Sequence, residues 1–301
     1  MSLSDSAAVS KISVVVPCYN AHRWIAETLL SVVAQRDVDL EVVLIDDGST
    51  DGSYDSIAAG ATDVPVQIIH QPHAGASQAR NVGTRFATGQ FLQYLDADDL
   101  LEPGTLSARA HALQTSGADI AYCDWQRWEF KSDGSFGRGE VSSRVLSSRP
   151  EIDLLSDAWW PPGALLYRRD VIQRVSAWNR NLSVNQDVQF LLLLAADGAR
   201  FVKVDGVGLR YRVGDGSSLS TKDHQLFLTD CYKNACELQD LWQSQGRLDS
   251  YRRQALRRTY RYLARIFAIE PLMRDETLSR IARLDIRLES RPRPTHKERR
   301  P

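Results

Sequence analysis

The chain of 301 residues has four cysteines, two methionines and a net charge of -1. Cys18, Cys123, Cys231 and Cys236 follow no metal-ligand or disulfide spacing. That excludes a disulfide-stapled scaffold and a zinc cluster, and reduced thiols are expected. No run of 18 apolar residues occurs, the densest stretch being Phe190 to Ala196, so no transmembrane helix is expected. The opening Met1-Ser2-Leu3-Ser4-Asp5-Ser6 lacks the charged and apolar regions of a signal peptide, and a cytoplasmic protein is expected. The loop after the first apolar run is Pro17-Cys18-Tyr19-Asn20. It has neither the G-x-G-x-x-G of a dinucleotide-binding oxidoreductase nor the Gly-rich basic loop a nucleotidyltransferase needs. The small net charge hides an asymmetry: residues 241–301 carry 16 Lys+Arg against 7 Asp+Glu, whereas the rest of the chain is acidic. The acidic part argues against nucleic acid as its ligand.

What is present is an alternation of strand and helix signals. Ile12 to Val16 is a continuous apolar run, as in strands that a parallel sheet buries on both faces, with Pro17 expected to end it. Trp24 to Gln35 has a helical apolar period. Glu41 to Ile45 is a second strand. The loop Asp46 to Ser53 is dense in turn formers and leads into a short helix ending near Gly60. Val66 to His70 is a third strand. Gly75 to Ala87 is a helix with Gly89 as its C-cap, and Phe91 to Leu95 is a fourth strand. Further helices are expected from Pro103 to Thr115, Glu151 to Ala158 and Val184 to Asp197. Strands are expected at Asp119–Trp125 and Ala164–Tyr167, with two more short ones in Arg200–Val213. Residues 131–143 read as a loop or hairpin and 214–223 as a Gly/Ser loop. From His224 the chain reads as helical, broken at Pro271. The pattern predicts a doubly wound α/β sheet with helices on both faces.

The fourth strand runs into Asp96-Ala97-Asp98-Asp99, and the second into Asp46-Asp47. Carboxylates crowded at a strand end repel one another unless a cation or hydrogen-bond donors neutralise them. Mg²⁺ or Mn²⁺ suits such a site, because these ions take one or two carboxylates and complete their shell with substrate phosphates. In open α/β sheets this edge is also where ligands bind.

Four segments, in order and spaced by an α/β pattern, are Val14-Val15-Val16-Pro17-Cys18-Tyr19-Asn20, Asp46-Asp47-Gly48-Ser49-Thr50-Asp51, Ala79-Arg80-Asn81-Val82-Gly83 and Leu95-Asp96-Ala97-Asp98-Asp99. Over residues 11–220 the chain resembles the inverting, GT-A type of family 2 glycosyltransferase. The resemblance implies a mostly parallel GT-A sheet that uses a nucleotide-diphospho-sugar (UDP-, GDP- or dTDP-linked) and Mn²⁺ or Mg²⁺. The acceptor would be a saccharide or lipid-linked molecule of cell-surface polysaccharide or glycoconjugate synthesis. It further implies that Pro17, Tyr19 and Asn20 frame the nucleotide base together with Asp46. Asp47 would accept a hydrogen bond from the base, and Arg80 would lie near base or diphosphate. Asp96, Ala97 and Asp98 would meet the ribose, and Asp98 and Asp99 would hold the metal.

The family's catalytic Asp follows a Glu at the start of a helix. Here Asp187 follows Gln186, and Asp187 is the candidate base, helix N-terminal charge stabilisation being the plainer reading. The His that often follows a Tyr-Arg pair is absent after Tyr211-Arg212, leaving Arg212, Ser217 and Ser218 as candidates to close over the diphosphate. These departures favour the alternative of a non-catalytic nucleotide-sugar-binding or scaffold protein. Trp159 and Trp160 read equally as an acceptor wall or as core residues. Arg253, Arg257, Arg261 and Arg265 recur beside an apolar face, either as a solvated stripe or as a peripheral contact with the inner membrane face. The domains expected are a mobile terminus (1–10), a glycosyltransferase domain (11–222, with a nucleotide half 11–100 and an acceptor half 101–222), a helical extension (223–290) and a disordered basic tail (291–301).

Overall fold

The computed structural model describes residues 10–53, 64–175, 177–182, 184–214, 224–267 and 271–289, with only the backbone of 285–289. In chain order the described elements are β1 (Lys11–Cys18), α1 (Ile25–Val33), β2 (Asp39–Asp46), β3 (Val66–His70), α2 (Ala76–Phe86), β4 (Phe91–Tyr94) and β5 (Leu100–Leu101). Next come α3 (Thr105–Ser116), β6 (Ile120–Phe130), β7 (Phe136–Ser142), α4 (Pro150–Ser156), a 3-10 turn (Pro162–Ala164), β8 (Leu165–Arg168) and α5 (Arg169–Ile172). The chain continues through α6 (Gln186–Asp197), β9 (Phe201–Val213), α7 (His224–Ser244), α8 (Ser250–Ile266) and α9 (Pro271–Glu289). The expected short helix near Gly60, the 215–223 part of the Gly/Ser loop with Ser217 and Ser218, and the two termini (1–9 and 290–301) lie outside the described residues.

One sheet runs in the order β3-β2-β1-β4-β8-β6-β9-β5, with β7 paired to β6. The pairings β3/β2, β2/β1 and β1/β4 are parallel. Val14, Val15 and Val16 are completely buried at the centre of this half, which is why the run carries no polar alternation. Pro17 does not end β1, which pairs with β2 as far as Cys18↔Asp46. The carbonyl of Val15 accepts from Leu95, just past the end of β4, and that of Cys18 accepts from Asp47 after β2. Alternation therefore turns residue 17 toward the side where β4 has stopped, and its missing N–H costs no ladder bond.

Beyond β4 the sheet is mixed. β8 is antiparallel to both β4 and β6, and β9 is parallel to β6. The two short strands expected in Arg200–Val213 are one long strand whose register with β6 shifts around Asp124. Residues 131–143 form the β6–β7 hairpin. Because β8 opposes β4, its approach through Trp159 and Pro161 arrives at the edge where β4 ends. β6 and β9 run with β4, so Trp125 and Tyr211 also lie toward that edge.

Gly89 is not the C-cap of α2, a place held by Ala87. Its N–H donates to Ser13 Oγ at 2.8 Å, and a Cβ there would lie 2.7 Å from the Ser13 nitrogen. The C-terminal helical stretch breaks twice. Besides Pro271, it turns at Gly246, which has φ +67, and restarts at Asp249, whose side chain accepts from the Arg252 N–H at 2.9 Å. Both are ordinary stop and start signals. On α8, Arg253 and Arg257 each donate to the Leu284 carbonyl of α9, so half of the basic stripe serves helix packing. No described helix is long and apolar enough to cross a membrane.

Helix α2 lies close on the sheet because of Gly83. A Cβ there would stand 2.3 Å from Val15 Cγ1, and Val15 has no free space to retreat into. Gly83→Val is expected to cost about 1–3 kcal/mol of stability through overpacking, measured by urea unfolding.

Candidate active site

The loops after β1 and β2 are tied to one another. Asn20 Oδ1 accepts from the Thr50 N–H at 2.8 Å, and the N–H groups of Asn20, Ala21 and His22 donate to Ser49 Oγ, Ser53 Oγ and Asp51 Oδ2. Asn20 itself sits at φ 50. The register places Asp46 opposite His70, and the two side chains meet at 3.0 Å. Burial works against the Asp46 charge, but donors from Ser49 and His70 outweigh it and hold this carboxyl below the usual range.

Asp47 is 2% exposed. Its Oδ1 accepts from Gln71 Nε2 at 2.5 Å and the Ala74 N–H at 2.9 Å. Its Oδ2 accepts from the Gly75 N–H at 2.8 Å and faces His73 Nδ1 at 2.9 Å. A carboxylate has about four acceptor positions, and this loop fills three of them with hydrogen bonds. Asp47 is thus a clasp between β2 and the start of α2. The ring of His73 in turn stacks on Tyr19 at 3.9 Å, leaving Tyr19 47% exposed.

Past β4 the chain makes a tight turn, the Asp99 N–H donating to the Asp96 carbonyl at 3.1 Å. Helix α1 braces this turn: Thr28 Oγ1 donates to the Ala97 carbonyl at 2.9 Å. Arg212, on β9, locks it from the other side. Its N–H reaches Asp99 Oδ1 at 3.0 Å and its Nη1 the Asp98 carbonyl at 2.6 Å, while Nη2 pairs with Glu27 of α1. Its guanidinium also covers the Trp24 ring at 4.9 Å. Arg212 is buried, so it fastens the acidic turn and is not a lid residue. Asp99 is 1% exposed. Burial pushes its carboxyl well above the ordinary value, Asp98 and Asp96 add to this by repulsion, and Arg212 opposes it. Its Oδ2 has no partner.

Arg80 reaches the same turn from α2, its Nη2 lying 2.5 Å from Asp96 Oδ1. The guanidinium rests on the Trp178 ring at 4.5 Å, and Trp178 stacks on Phe190 of α6 at 4.3 Å. Arg80 is 4% exposed, yet its Nε and Nη1 donate to nothing in the chain. Buried guanidinium donors of this kind are costly unless an acceptor arrives.

Asp187 lies in the first turn of α6, after Asn185 in a left-handed conformation. Its Oδ1 accepts from the Val188 N–H at 2.8 Å and its Oδ2 from Trp159 Nε1 at 2.7 Å. Burial raises its carboxyl above the ordinary value, while the Trp159 and Val188 bonds and the charge of Arg80 pull it down. Trp159, Trp125 and Tyr211 pack edge to face, with centroids 5.1, 5.4 and 5.5 Å apart. The Tyr211 hydroxyl is pushed up by burial and by Asp99, Asp96, Asp187 and Asp98 around it. Tyr211 adjoins Arg212, whose N–H holds Asp99, and packs on Trp159, which holds Asp187, so it stands between the two groups of carboxylates. From behind, α7 holds the start of α6: the Val184 N–H donates to the buried Asp230 at 2.9 Å, and Asn185 Nδ2 donates to the Phe227 carbonyl at 3.2 Å.

The structure thus brings together Arg80, Asp96, Asp98, Asp99, Trp159 and Asp187 at one sheet edge, with Pro17 and Asp46 at the ends of β1 and β2 and Tyr19 and Asn20 on the loop after β1. Ala97 contributes its carbonyl to α1. Gln186 adjoins Asp187 and is half-buried. Trp160 is 3% exposed and packs on Tyr122 at 5.1 Å, in keeping with the core reading of the two. Residues not foreseen are His70, His73, Trp125, Trp178 and Tyr211. Only His70 had a legible signal, its pairing opposite Asp46 once the strands are aligned from their apolar runs.

The glycosyl transferase family 2 model matches residues 13–175, more than half of the chain. The chain belongs to that family. The uncharacterized glycosyltransferase YibD of Escherichia coli (strain K12) is 29% identical over 185 residues, covering 61% of this chain and 53% of YibD. The chain spans about half the length of the relatives it matches. S. aureus TarS 1–349, solved with UDP-GlcNAc, superposes with a TM-score of 0.67 at 21% identity, covering 86% of this chain and 73% of that one. The mannosyltransferase PcManGT of Pyrobaculum calidifontis, solved with GDP-Man and Mn²⁺, gives 0.59 at 18% identity, covering 93% and 81%. These likenesses establish the mixed α/β fold with its curled sheet and C-terminal helical part.

Asp99→Asn keeps an acceptor for the Arg212 N–H and removes the crowded charge. Since the folded carboxyl titrates above its unfolded value, the wild-type protein loses stability as pH rises through that raised value. In metal-free buffer the melting temperature of Asp99→Asn should therefore exceed the wild type by more at pH 8 than at pH 5.

Proposed function

We propose that the chain transfers a sugar from a nucleotide-diphospho-sugar to an acceptor hydroxyl, with inversion and with a divalent cation. The observation that carries this is the meeting of two acidic elements, the Asp96–Asp99 turn and Asp187, around Tyr211 and the unpartnered donors of Arg80. One element suits a leaving diphosphate and the other an attacking hydroxyl.

Among the described residues no group of three His, Cys, Asp or Glu side chains is placed to hold a metal ion. The acidic turn still fits a hard cation that draws its remaining ligands from substrate phosphates. Its donors are all oxygen, its carboxylates repel one another, and Asp99 Oδ2 is unpartnered. Asp98 and Asp99 would hold it. When bound, Mn²⁺ or Mg²⁺ supplies neutralisation of the charge that develops on the diphosphate.

The chain's own groups do the rest. The exposed face of Tyr19, backed by His73, offers a stacking surface for a nucleobase, and Asp47 shapes the loop beside it. The free N–H groups of Arg80 donate to a diphosphate oxygen, a charge-assisted bond that strengthens as the bond to the sugar breaks. Asp187 takes the proton of the acceptor hydroxyl while its oxygen attacks the anomeric carbon and the nucleoside diphosphate leaves from the opposite face. The raised carboxyl of Asp187 favours this role, since a base nearer neutrality removes a proton more readily. The neutral Gln186 adds no like charge beside it.

Calorimetric titration with UDP, GDP and dTDP, with and without Mn²⁺, tests the donor site. One nucleotide should bind in a metal-dependent way, and Asp98→Ala should lose that binding. Asp187→Asn should keep nucleotide affinity and lose turnover by about 10²–10⁴-fold. Metal-independent binding that survives Asp98→Ala, or Asp187→Asn turning over at the wild-type rate, contradicts the proposal.

A further inference from the structure

Resting on the reading of Asp187 as the base, we infer that Trp159 is a positioning residue for it, its indole N–H fixing which edge of the carboxylate faces the acceptor. Each Asp187 oxygen has one donor in the chain, the Val188 N–H on Oδ1 at 2.8 Å and Trp159 Nε1 on Oδ2 at 2.7 Å. The first comes from the helix turn that carries Asp187 and cannot by itself stop the carboxylate rotating. The second comes from a separate segment and supplies that restraint.

That segment is built as a strut. Trp160 anchors it in the core against Tyr122. The paired prolines Pro161 and Pro162 limit its backbone freedom. Gly163 seats it, since a Cβ there would lie 2.5 Å from Leu209 Cδ1. The Trp159 ring is held by Trp125 and Tyr211, so its N–H is aimed before any substrate arrives. A prepositioned donor of this sort costs no reorganisation when the reaction occurs.

The same bond sets how readily the base takes a proton. The groups acting on Asp187 are Arg80 from α2, Asp96 from the turn after β4, Tyr167 of β8 and Tyr211 of β9. Arg80 favours the charged carboxylate and Asp96 opposes it. A hydrogen bond to the charged form favours that form. Removing the indole N–H should therefore move the Asp187 titration upward.

The test is Trp159→Phe, which keeps an aromatic ring and deletes the donor. The Asp187 carboxyl is followed by ¹³C NMR on metal-free protein labelled at aspartate, its signal assigned by its loss in Asp187→Asn. The midpoint should rise by about one pH unit or more. The acid limb of the pH profile for hydrolysis of the donor that the nucleotide titration selects should move up by the same amount, with donor affinity within twofold of wild type. Should Trp159→Phe fail to fold, β-(3-benzothienyl)alanine at position 159 keeps the indole shape without its N–H and must give the same rise. An unmoved midpoint overturns the inference. Activity surviving in Asp187→Asn removes the base reading itself, whereas loss of activity there with an unmoved midpoint removes only the role of Trp159.

Discussion

Mutual repulsion among carboxylates at the C-terminal edge of the sheet is the constraint around which the rest is arranged. The Asp96–Asp99 turn places three acidic side chains within four residues, one of them buried. Asp187 feels the field of the same turn. Such a cluster holds its shape only if donors surround it. Two buried arginines do so from opposite sides. Arg212 fastens the turn to α1 through Nη1 and Nη2 and leaves its Nε without a partner. Arg80 pairs with Asp96 but keeps two donors unspent. With two unpartnered nitrogens against one, Arg80 is the more open of the pair to a ligand.

Several elements far apart in sequence exist to keep this edge rigid. Helix α1 holds the acidic turn through Thr28 and Glu27. Asp47 gathers the loop that starts α2, and hence the helix carrying Arg80. Helix α7 holds the start of α6 through Asp230. The helical extension is therefore coupled to the candidate base, since α7 fixes the turn in which Asp187 sits. A site assembled from so many elements needs a well-packed sheet beneath it, which the fully buried valines of β1 supply.

Much of the parallel half of the fold was legible in the sequence, because a strand covered on both faces is a continuous apolar run and its neighbours are too. The mixed half was less so. β9 reads as two strands because Asp205 and Gly206 interrupt its apolar pattern while the backbone carries on through a register shift. The acidic positions were legible as a group, but their division of labour was not. Asp47 and Arg212 look like ligand contacts from the family resemblance. The geometry shows that the loop 71–75 supplies donors to the first and that Glu27 and the acidic turn hold the second. Trp159 and Trp160 are identical to a sequence reader; alternation sends one to Asp187 and the other into the core. The break between α7 and α8 carried ordinary signals in Gly246 and Asp249, obscured by the helical periodicity on either side.

The central claim is that Asp187 activates an oxygen nucleophile on the sugar face opposite the departing diphosphate. The stereochemistry of the first-formed product tests it most directly. Proton NMR, taken early while the wild-type protein hydrolyses an α-linked nucleotide-sugar, identifies the anomer before mutarotation mixes the signals. Inversion releases the β anomer first. Initial release of the α anomer would contradict it.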